Sequence, residues 1–380
     1  MLPGHFKNKN YQMIRFSTVL FLLALPVMLK AQNKTINVAT SAAPFLRISP
    51  DARAGGMGEI GLATSADVNA SFYNLSKIVF NKDANGISAN YTPWLREIST
   101  NIYLATITGY HKLDETQTVS GSLRYFSLGN LQFSDVSGNP LGSSSPKEFS
   151  LEGGYARKLT DKLSIALAAR YIYSKLASGT ANNSLISYKA GNAFGVDISV
   201  FYNGVTEGGK GIAIGGTLTN LGSRVNYSNN STSKEYLPAN FGVGAAYTMP
   251  LEEGHKVQFG LDLNKLLAPI PPTDSAGISN YYNYNVLKSY FKSFGGDNGG
   301  LKAFQVSMGA EYSYKDEFFF RAGCFYEDKY HGGRNYITTG VGYKYTTAMF
   351  NIAYVVPSGS GVTKSPLSNT LRFGVSVTIP

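Results

Sequence analysis

The chain has 380 residues, a net charge of +10, 15% charged residues and 13% aromatic residues, with 26 tyrosines and 41 glycines. Soluble domains usually carry about 25% charged residues, so this composition is unusual for a soluble protein. Lysine and arginine never occur in a block longer than two after residue 31, which argues against a nucleic-acid-binding protein.

Residues 1–31 have the pattern of a secretory signal peptide. Three basic residues precede an apolar run of 14 residues, Phe16 to Leu29, which is shorter than the about 20 residues of a membrane-spanning helix. A retained N-terminal anchor is the alternative. Cleavage after Ala31 would remove four basic and no acidic residues, and the net charge would fall from +10 to +6. No apolar run of 18 residues follows, which argues against a helical membrane protein.

Residues 32–85 lack the alternation of a strand, and we expect them to form an N-terminal hatch or plug on the periplasmic side, partly inside the lumen of a barrel. The segment Gly56-Met57-Gly58-Glu59-Ile60-Gly61 matches the dinucleotide-binding pattern G-x-G-x-x-G. Such a site needs a preceding buried strand, a following helix and an intracellular cofactor, and Pro44, Pro50 and the signal peptide argue against all three. The glycines more plausibly allow close backbone packing against the barrel wall.

The residues from 86 to the end have a hydrophobic pattern of period two. Leu163, Ile165 and Leu167, for example, alternate with small or polar residues, as in a strand with one apolar face. An even number of strands returns both ends of a barrel to the periplasm. The sequence therefore predicts an all-β fold, an antiparallel outer-membrane barrel of about 14 strands over residues 86–380. The predicted strands are 86–94, 100–112, 117–127, 149–158, 163–174, 192–202, 211–220, 239–248, 256–265, 303–314, 318–326, 335–345, 348–357 and 369–379.

The connections between these strands alternate in length. Links such as 113–116, 159–162 and 315–317 are short, whereas 128–148 and 266–302 are long. Short periplasmic turns and long extracellular loops are typical of outer-membrane barrels. A soluble β-sandwich is the alternative, and it gives no reason to separate the two loop lengths.

The polar faces of the predicted strands carry charges of both signs. A buried charge without a partner costs several kcal/mol, so these side chains are expected to pair or to meet water inside a lumen. The charged residues on these faces are Arg124, Glu152, Arg170, Asp197, Asp262, Glu311, Arg321, Lys344 and Arg372.

The sequence offers no arrangement typical of catalysis or metal binding. The histidines do not lie at ligand spacing from cysteines or carboxylates, so no metal site and no cofactor are predicted. An acyl hydrolase would need a serine, a histidine and an acidic or amide side chain on neighbouring strands, and the predicted strands have no mid-strand histidine. Cys324 lies on the apolar side of a strand and is interpreted as an inert, lipid-facing or packed thiol. We therefore expect a protein that is not an enzyme.

The loop from residue 266 to residue 302 combines three prolines with a group of aromatic residues. Prolines limit the entropy lost on ordering, and aromatic rings provide large contact areas, so the loop is a candidate for partner binding or gating. Alternatively, the aromatic side chains fold inward to cap the pore or join the aromatic girdle. The candidate residues are Tyr281, Tyr282, Tyr284, Tyr290, Phe291 and Phe294.

Residues Pro44 to Asp67 resemble the start of the PorV/PorQ family, outer-membrane barrels of the type IX secretion system of Bacteroidetes, within the superfamily of fatty-acid-transporter-like barrels. The segment Tyr91 to Leu95 and the strand number add to the resemblance. Relatives usually read Asn-Pro-Ala where this chain has Asn74-Leu75-Ser76. The specific part is the hatch motif, with Pro50, Asp51, Arg53, Gly55, Gly56, Met57 and Gly58.

The resemblance implies a non-enzymatic shuttle in the outer membrane. Members of the family bind the C-terminal signal domain of cargo at the translocon barrel and deliver it to an attachment complex that contains a sortase. The resemblance assigns no individual contact residues. Two other functions stay open from the sequence: a transporter of hydrophobic small molecules, which would need an apolar passage, and a general porin, which would need an open aqueous lumen.

Overall fold

The computed structural model describes residues 39–95, 101–134, 137–177, 179–180, 187–229, 234–252, 254–295, 300–356, 367 and 369–380. The signal peptide predicted for residues 1–31 lies outside the described residues.

The described residues form fourteen long strands and two small two-stranded sheets. The long strands are β1 Asn85–Pro93, β2 Ile102–Lys112, β3 Gln117–Leu128, β6 Lys147–Lys158, β7 Leu163–Lys175, β10 Gly191–Asn203, β11 Gly211–Gly222, β12 Asn240–Pro250, β13 His255–Leu266, β14 Phe304–Tyr314, β15 Phe318–Tyr326, β16 Asn335–Tyr345, β17 Ala348–Val356 and β18 Leu371–Ile379. The small sheets pair β4 Leu131–Ser134 with β5 Pro140–Ser144, and β8 Gly179–Thr180 with β9 Ser187–Tyr188.

The described helices are short. They are α1 Ala52–Gly55, α2 Ser275–Asn283 and α3 Val286–Lys292, with 3₁₀ helices at Pro44–Arg47, Val68–Phe72, Leu75–Phe80 and Leu301–Ala303. In the part of the chain that the structure describes, no helix is both long enough and apolar enough to cross a bilayer.

The fourteen long strands close into one antiparallel barrel. Each long strand pairs with the previous and the next one along the chain, and β1 closes the barrel by pairing with β18, with Asn85 opposite Ile379. This confirms the predicted fold class. The wall has a register shift between β10 and β11, where Asp197 accepts a hydrogen bond from the backbone N–H of Asn220 at 2.6 Å.

The alternation along each strand separates an apolar exterior from a polar interior. In β7, Ile165 and Leu167 are exposed outward, whereas Ser164 and Arg170 are buried inside. Aromatic rings cluster near both rims, with the ring centres of Tyr91 and Tyr103 5.5 Å apart at one end. An apolar outer band with aromatic residues at its edges is the surface that a barrel presents to lipid.

The two ends of the barrel differ in their connections, as the sequence predicts. At one end the turns are short, such as 113–116 and 315–317, and β1 begins and β18 ends there. At the other end the links are long, such as 129–146 and 267–303. We call these the short-turn end and the long-loop end.

Residues 39–84, which we call the N-terminal segment, lie inside the barrel. The backbone N–H of Ala42 donates to the carbonyl of Tyr236 at 2.8 Å in a long loop, so the segment reaches the long-loop end. From there α1 packs against β16 to β18, and the 3₁₀ helix Leu75–Phe80 packs against β6, β7 and β10. The segment thus extends further than the periplasmic position predicted from the sequence.

The apolar exterior leads to a first prediction about membrane stability. Arginine at Leu151, an outward residue that is 58% exposed near the middle of β6, should lower the free energy of unfolding from lipid vesicles by about 2–4 kcal/mol. The reason is that the guanidinium would face the hydrocarbon. Leu113→Arg is the matched control, since Leu113 is 54% exposed in a short turn and should tolerate the change. Equal effects of the two substitutions would contradict the assigned membrane band.

Candidate functional site

Arg53 connects the N-terminal segment to the barrel wall. Its Nε and Nη2 atoms donate to the two carboxylate oxygens of Glu311 on β14 at 3.0 and 2.8 Å. Nη1 donates to Asp67 at 2.6 Å, and both Nη atoms donate to Ser65, so all five N–H groups of the guanidinium have acceptors. Burial lowers the pKa of Arg53, but Glu311 and Asp67 outweigh this effect and raise the pKa above its ordinary value.

Asp51 organises the turn that presents Arg53. Its carboxylate accepts from the backbone N–H groups of Arg53 and Ala54, each at 3.0 Å, and therefore caps the N-terminus of α1. The same carboxylate accepts from Asn69 Nδ2 at 3.0 Å, which ties α1 to the next part of the segment. The aspartate and the arginine of the motif therefore have different roles, one in local structure and one in contact with the wall.

Most charges that were predicted to face the lumen contact other charges or the segment. Arg321 donates to Glu311 at 2.7 Å, and Arg372 donates to Glu59 of the segment at 2.6 Å. Arg170 pairs with Glu152 and, at 2.7 Å, with Asp197. These charged groups therefore pair within the protein, as the sequence predicted.

Two other predicted lumen charges take different partners. Asp262 accepts the backbone N–H groups of Gly61 and Leu62 at 2.7 and 2.9 Å, so a wall carboxylate binds the backbone of the segment. Arg124 donates to the carbonyl of Leu46 at 3.3 Å and lies 4.7 Å from the ring centre of Phe72. Both residues hold the segment in place.

The glycines of the motif lie where the segment touches the backbone of the wall. A Cβ atom at Gly56 would be 3.0 Å from Gly340 Cα on β16. Gly58 has a φ of 67°, and its N–H donates to Thr338 Oγ1 at 2.8 Å. On the wall, a Cβ atom at Gly309 would overlap the backbone of Met57. Glycines on both partners therefore permit a backbone-to-backbone approach that side chains would prevent.

Gly55 and Pro50 complete the placement of the motif. A Cβ atom at Gly55 would overlap the side chain of Arg372, so the glycine makes room for that arginine. Pro50 is buried immediately before the cap residue Asp51.

The segment Asn74-Leu75-Ser76 is a second anchor. Asn74 Nδ2 donates to the carbonyls of Leu62 at 2.9 Å and of Val200 on β10 at 3.1 Å. Its Oδ1 accepts from the N–H of Ser76 at 3.1 Å and caps the following 3₁₀ helix. The sequence did not predict the contact between Asn74 and Val200, because no spacing rule connects these two residues.

Lys77 is a buried cation in the same part of the segment. Its Nζ donates to the carbonyl of Gly61 at 2.8 Å and to Thr64 Oγ1 at 2.9 Å. Burial lowers the pKa of Lys77. The ammonium thereby links two stretches of the segment without contacting the wall through a hydrogen bond.

A cavity of about 610 Å³ opens at the short-turn end, below the Arg53 contacts. Its walls combine aromatic rings with charged groups, among them Phe80, Phe201, Lys256, Arg321 and Lys344. Lys344 is exposed here, unlike most of the predicted lumen charges. Further into the lumen, the described residues leave a smaller cavity of about 120 Å³.

An arginine of the neighbouring loop contacts the described part of the long loop, residues 267–295 and 300–303. Arg224 donates to the carbonyls of Tyr282, at 2.5 Å, and of Tyr284, and its guanidinium lies 4.1 Å from the ring centre of Tyr236. Tyr281 is buried against Tyr236, with ring centres 5.2 Å apart. No periodic pattern in the sequence identified Arg224.

The six aromatic candidates of this loop divide into two groups. Tyr281 is buried, and Tyr282, Tyr284 and Tyr290 are half-buried, with Tyr290 Oη accepting from the N–H of Gly222 at 3.0 Å. Phe291 and Phe294 remain 78% and 49% exposed. The tyrosines therefore pack within the loop, and the two phenylalanines lie on its exposed surface.

Groups of histidine, cysteine, aspartate and glutamate that could hold a metal ion do not occur within the described ranges. Cys324 is half-buried on β15, opposite Met308 and Ile337.

A family model described as "Type IX secretion system protein PorV" matches residues 30–273. No curated protein matches the chain. Among solved structures, the Ralstonia pickettii toluene transporter TbuX is similar at 12% identity and a TM-score of 0.55, over 86% of this chain and 97% of that one. The Pseudomonas putida toluene transporter TodX is similar at 11% identity and a TM-score of 0.51, over 90% and 98%. At such identities the likeness shows the fold alone.

The charge contacts lead to a prediction for Arg53→Ala. The substitution removes two charge-assisted hydrogen bonds from Glu311, which keeps its pair with Arg321, and leaves the partly buried Asp67 without this cation. We therefore expect a loss of about 1–3 kcal/mol in the free energy of unfolding. Proteolysis of the N-terminal segment in vesicles should also accelerate. Lys256→Ala is the control, because its pair with Asp316 is exposed and should contribute less than about 1 kcal/mol. The same loss in both variants would refute the role of Arg53.

A further prediction concerns Gly58→Ala. Alanine at a φ of 67° is strained, and its Cβ atom would lie 2.5 Å from the carbonyl oxygen of Cys324, so the free energy of unfolding should fall by about 1–3 kcal/mol. The matched control is Gly153→Ala on the barrel exterior, where a Cβ atom meets nothing within 4 Å. Thermal unfolding in detergent measures both. An unchanged free energy of unfolding in Gly58→Ala would show that the segment does not contact the wall closely at this position.

Proposed function

The chain belongs to the PorV family of type IX secretion system proteins and is located in the outer membrane; from this premise we propose that it acts as a non-enzymatic shuttle for secreted cargo. It binds the C-terminal signal domain of a cargo protein at the translocon barrel. It then presents that cargo to the attachment complex, whose sortase carries out the chemistry. Its partners are thus the translocon barrel, the cargo signal domains, the sortase and the lipid of the outer membrane.

The observation that carries this proposal is the filled lumen. Arg53 of the segment forms a hydrogen-bonded group with Glu311 and Arg321 on two neighbouring strands, and Asp262 binds the segment backbone from another strand. The segment therefore occupies the interior through which cargo would otherwise have to pass. We infer that the N-terminal segment acts as a hatch and that cargo is handled on the outside of the barrel.

We propose the long-loop end as the region where cargo is bound. Arg224 and the packing of Tyr281 on Tyr236 hold residues 281–284 of this loop in place, so this part of its surface is preformed. A preformed surface loses less conformational entropy on binding than a flexible loop does. Ile278 and Asn280 of α2 are exposed on this loop and are available for such contacts.

A transporter of hydrophobic small molecules is the second candidate. Two observations favour it: the fold is shared with toluene transporters, and the walls of the cavity at the short-turn end include the aromatic rings of Phe80 and Phe201 beside charged groups. This function requires the segment to move, because the Arg53 contacts separate that cavity from the long-loop end. A general porin is less well supported, since it needs an open aqueous lumen.

The shuttle proposal is tested in the host bacterium. Deletion of the gene should leave proteins that carry the C-terminal signal domain in the periplasm, and the intact gene should restore their export. Arg224→Ala, which removes the contacts to the carbonyls of Tyr282 and Tyr284, should reduce export severalfold at an unchanged level of barrel protein. Lys256→Ala at the short-turn end serves as the control.

Two outcomes separate the candidates. Normal export in the deletion strain would refute the shuttle. Loss of toluene uptake together with normal export would support the transporter instead. A pull-down of the purified barrel with an isolated signal domain then tests direct binding.

A further inference from the structure

Helix α3 presents its apolar side away from the protein. Leu287 and Phe291 of α3 and Phe294 in the turn that follows it are spaced i, i+4 and i+7 at one face, and they are 66%, 78% and 49% exposed. Ser289 and Ser293 on the opposite face are fully buried. A surface helix of a soluble protein has the reverse arrangement, so the exposed face of α3 is suited to an apolar environment.

The buried side of α3 fits closely against the rim of the barrel. The hydroxyl of Ser289 donates to the carbonyl of Val286 at 2.5 Å, and that of Ser293 donates to the carbonyl of Tyr290 at 2.6 Å. These small side chains satisfy their own polar groups within the helix. Tyr290 Oη accepts from the N–H of Gly222 at the end of β11, which fixes the helix to the wall.

The exposed face continues the lipid-facing exterior. The ring of Phe294 lies 6.5 Å from that of Phe241, which alternation in β12 places on the outer face with the exposed Val243. Lys265 of β13, at an outward position, has its Nζ atom 5.2 Å from the centre of the Phe294 ring. The end of α3 therefore covers the outside of the wall instead of the mouth of the barrel.

The charges beside the apolar stripe have one sign. Lys288 and Lys292 are exposed within α3, and Lys292 lies 3.6 Å from the centre of the Tyr284 ring. α3 contains no acidic residue. Basic residues beside an apolar stripe are typical of helices that lie in the membrane interface, where they meet anionic headgroups.

We propose that α3 is an interfacial anchor, which places Leu287, Phe291 and Phe294 in the outer leaflet and Lys288 and Lys292 among anionic headgroups. Continuity with Phe241 and Val243 is the reason to choose lipid over a protein partner. The proposal does not depend on the cargo function, because it concerns only the position of the helix in the membrane.

The test uses fluorescent labels on the full mature chain in vesicles. In a Cys324→Ala background, Phe291→Cys and Asn280→Cys each receive an environment-sensitive dye, and Asn280, exposed on α2, serves as the matched control. The vesicles contain phosphatidylcholine and phosphatidylglycerol, with nitroxide-labelled lipid as one quencher and aqueous iodide as the other. We expect the lipid quencher to act severalfold more strongly at position 291 than at 280, and iodide to act in the opposite order.

Two results would overturn the proposal. Equal iodide quenching at both positions would place the stripe in water. Iodide could instead quench the dye at position 291 strongly in vesicles and weakly in native membranes. That result would identify a protein partner, and not lipid, as what covers the apolar face. Resistance of the folded barrel to unfolding by detergent at room temperature verifies that each variant is folded.

The charged residues are tested separately. Lys288→Gln combined with Lys292→Gln should weaken lipid quenching at position 291 in vesicles with phosphatidylglycerol, and not in pure phosphatidylcholine. Lys256→Gln at the short-turn end is the control and should have no effect. Unchanged quenching in the double variant would refute the contribution of anionic headgroups.

Discussion

The structure depends on satisfying the charges that the barrel wall turns inward. Each of these side chains would be unstable in a dry interior without a partner, because desolvation costs more than a solitary hydrogen bond returns. The N-terminal segment supplies many of the missing partners. Arg53 binds Glu311, Glu59 binds Arg372, and the backbone near Gly61 binds Asp262. The segment therefore stabilises the wall, and the wall holds the segment in place.

The wall could be predicted from the sequence because lipid outside and polar groups inside impose a period of two on every strand. The predicted strands agree with the observed ones to within about two residues, including β15 and β16, whose bounds coincide with the prediction. The register shift between β10 and β11 was not predicted. There the Asp197 side chain accepts a backbone N–H of the neighbouring strand, and this contact does not change the hydrophobic pattern of the sequence.

The contents of the lumen and the loops could be predicted only in part. The motif glycines indicated close backbone packing, but no pattern identified Gly309 and Gly340 on distant strands as the surfaces they touch. In the loop, the aromatic residues were recognised as a group. The backbone of Tyr281, Tyr282 and Tyr284 contacts Arg224, which lies more than 50 residues away in sequence from Tyr281. Contacts of this kind are set by tertiary structure.

The toluene transporters and this chain share a barrel fold at very low identity, so the function of this chain has to be argued from its own residues. In this chain those residues include Arg53, which contacts the wall, and the exposed apolar residues of α3.

The position of the N-terminal segment also has a consequence for biogenesis. The segment precedes β1 in the chain, yet α1 packs on β16 to β18, the last strands to be synthesised. If the segment entered a barrel that was already closed, Arg53 and Glu59 would have to move along its inner surface as unpaired charges. The wall is therefore expected to wrap around the segment while the seam between β1 and β18 is still open, so that sealing the seam is the step that traps the core.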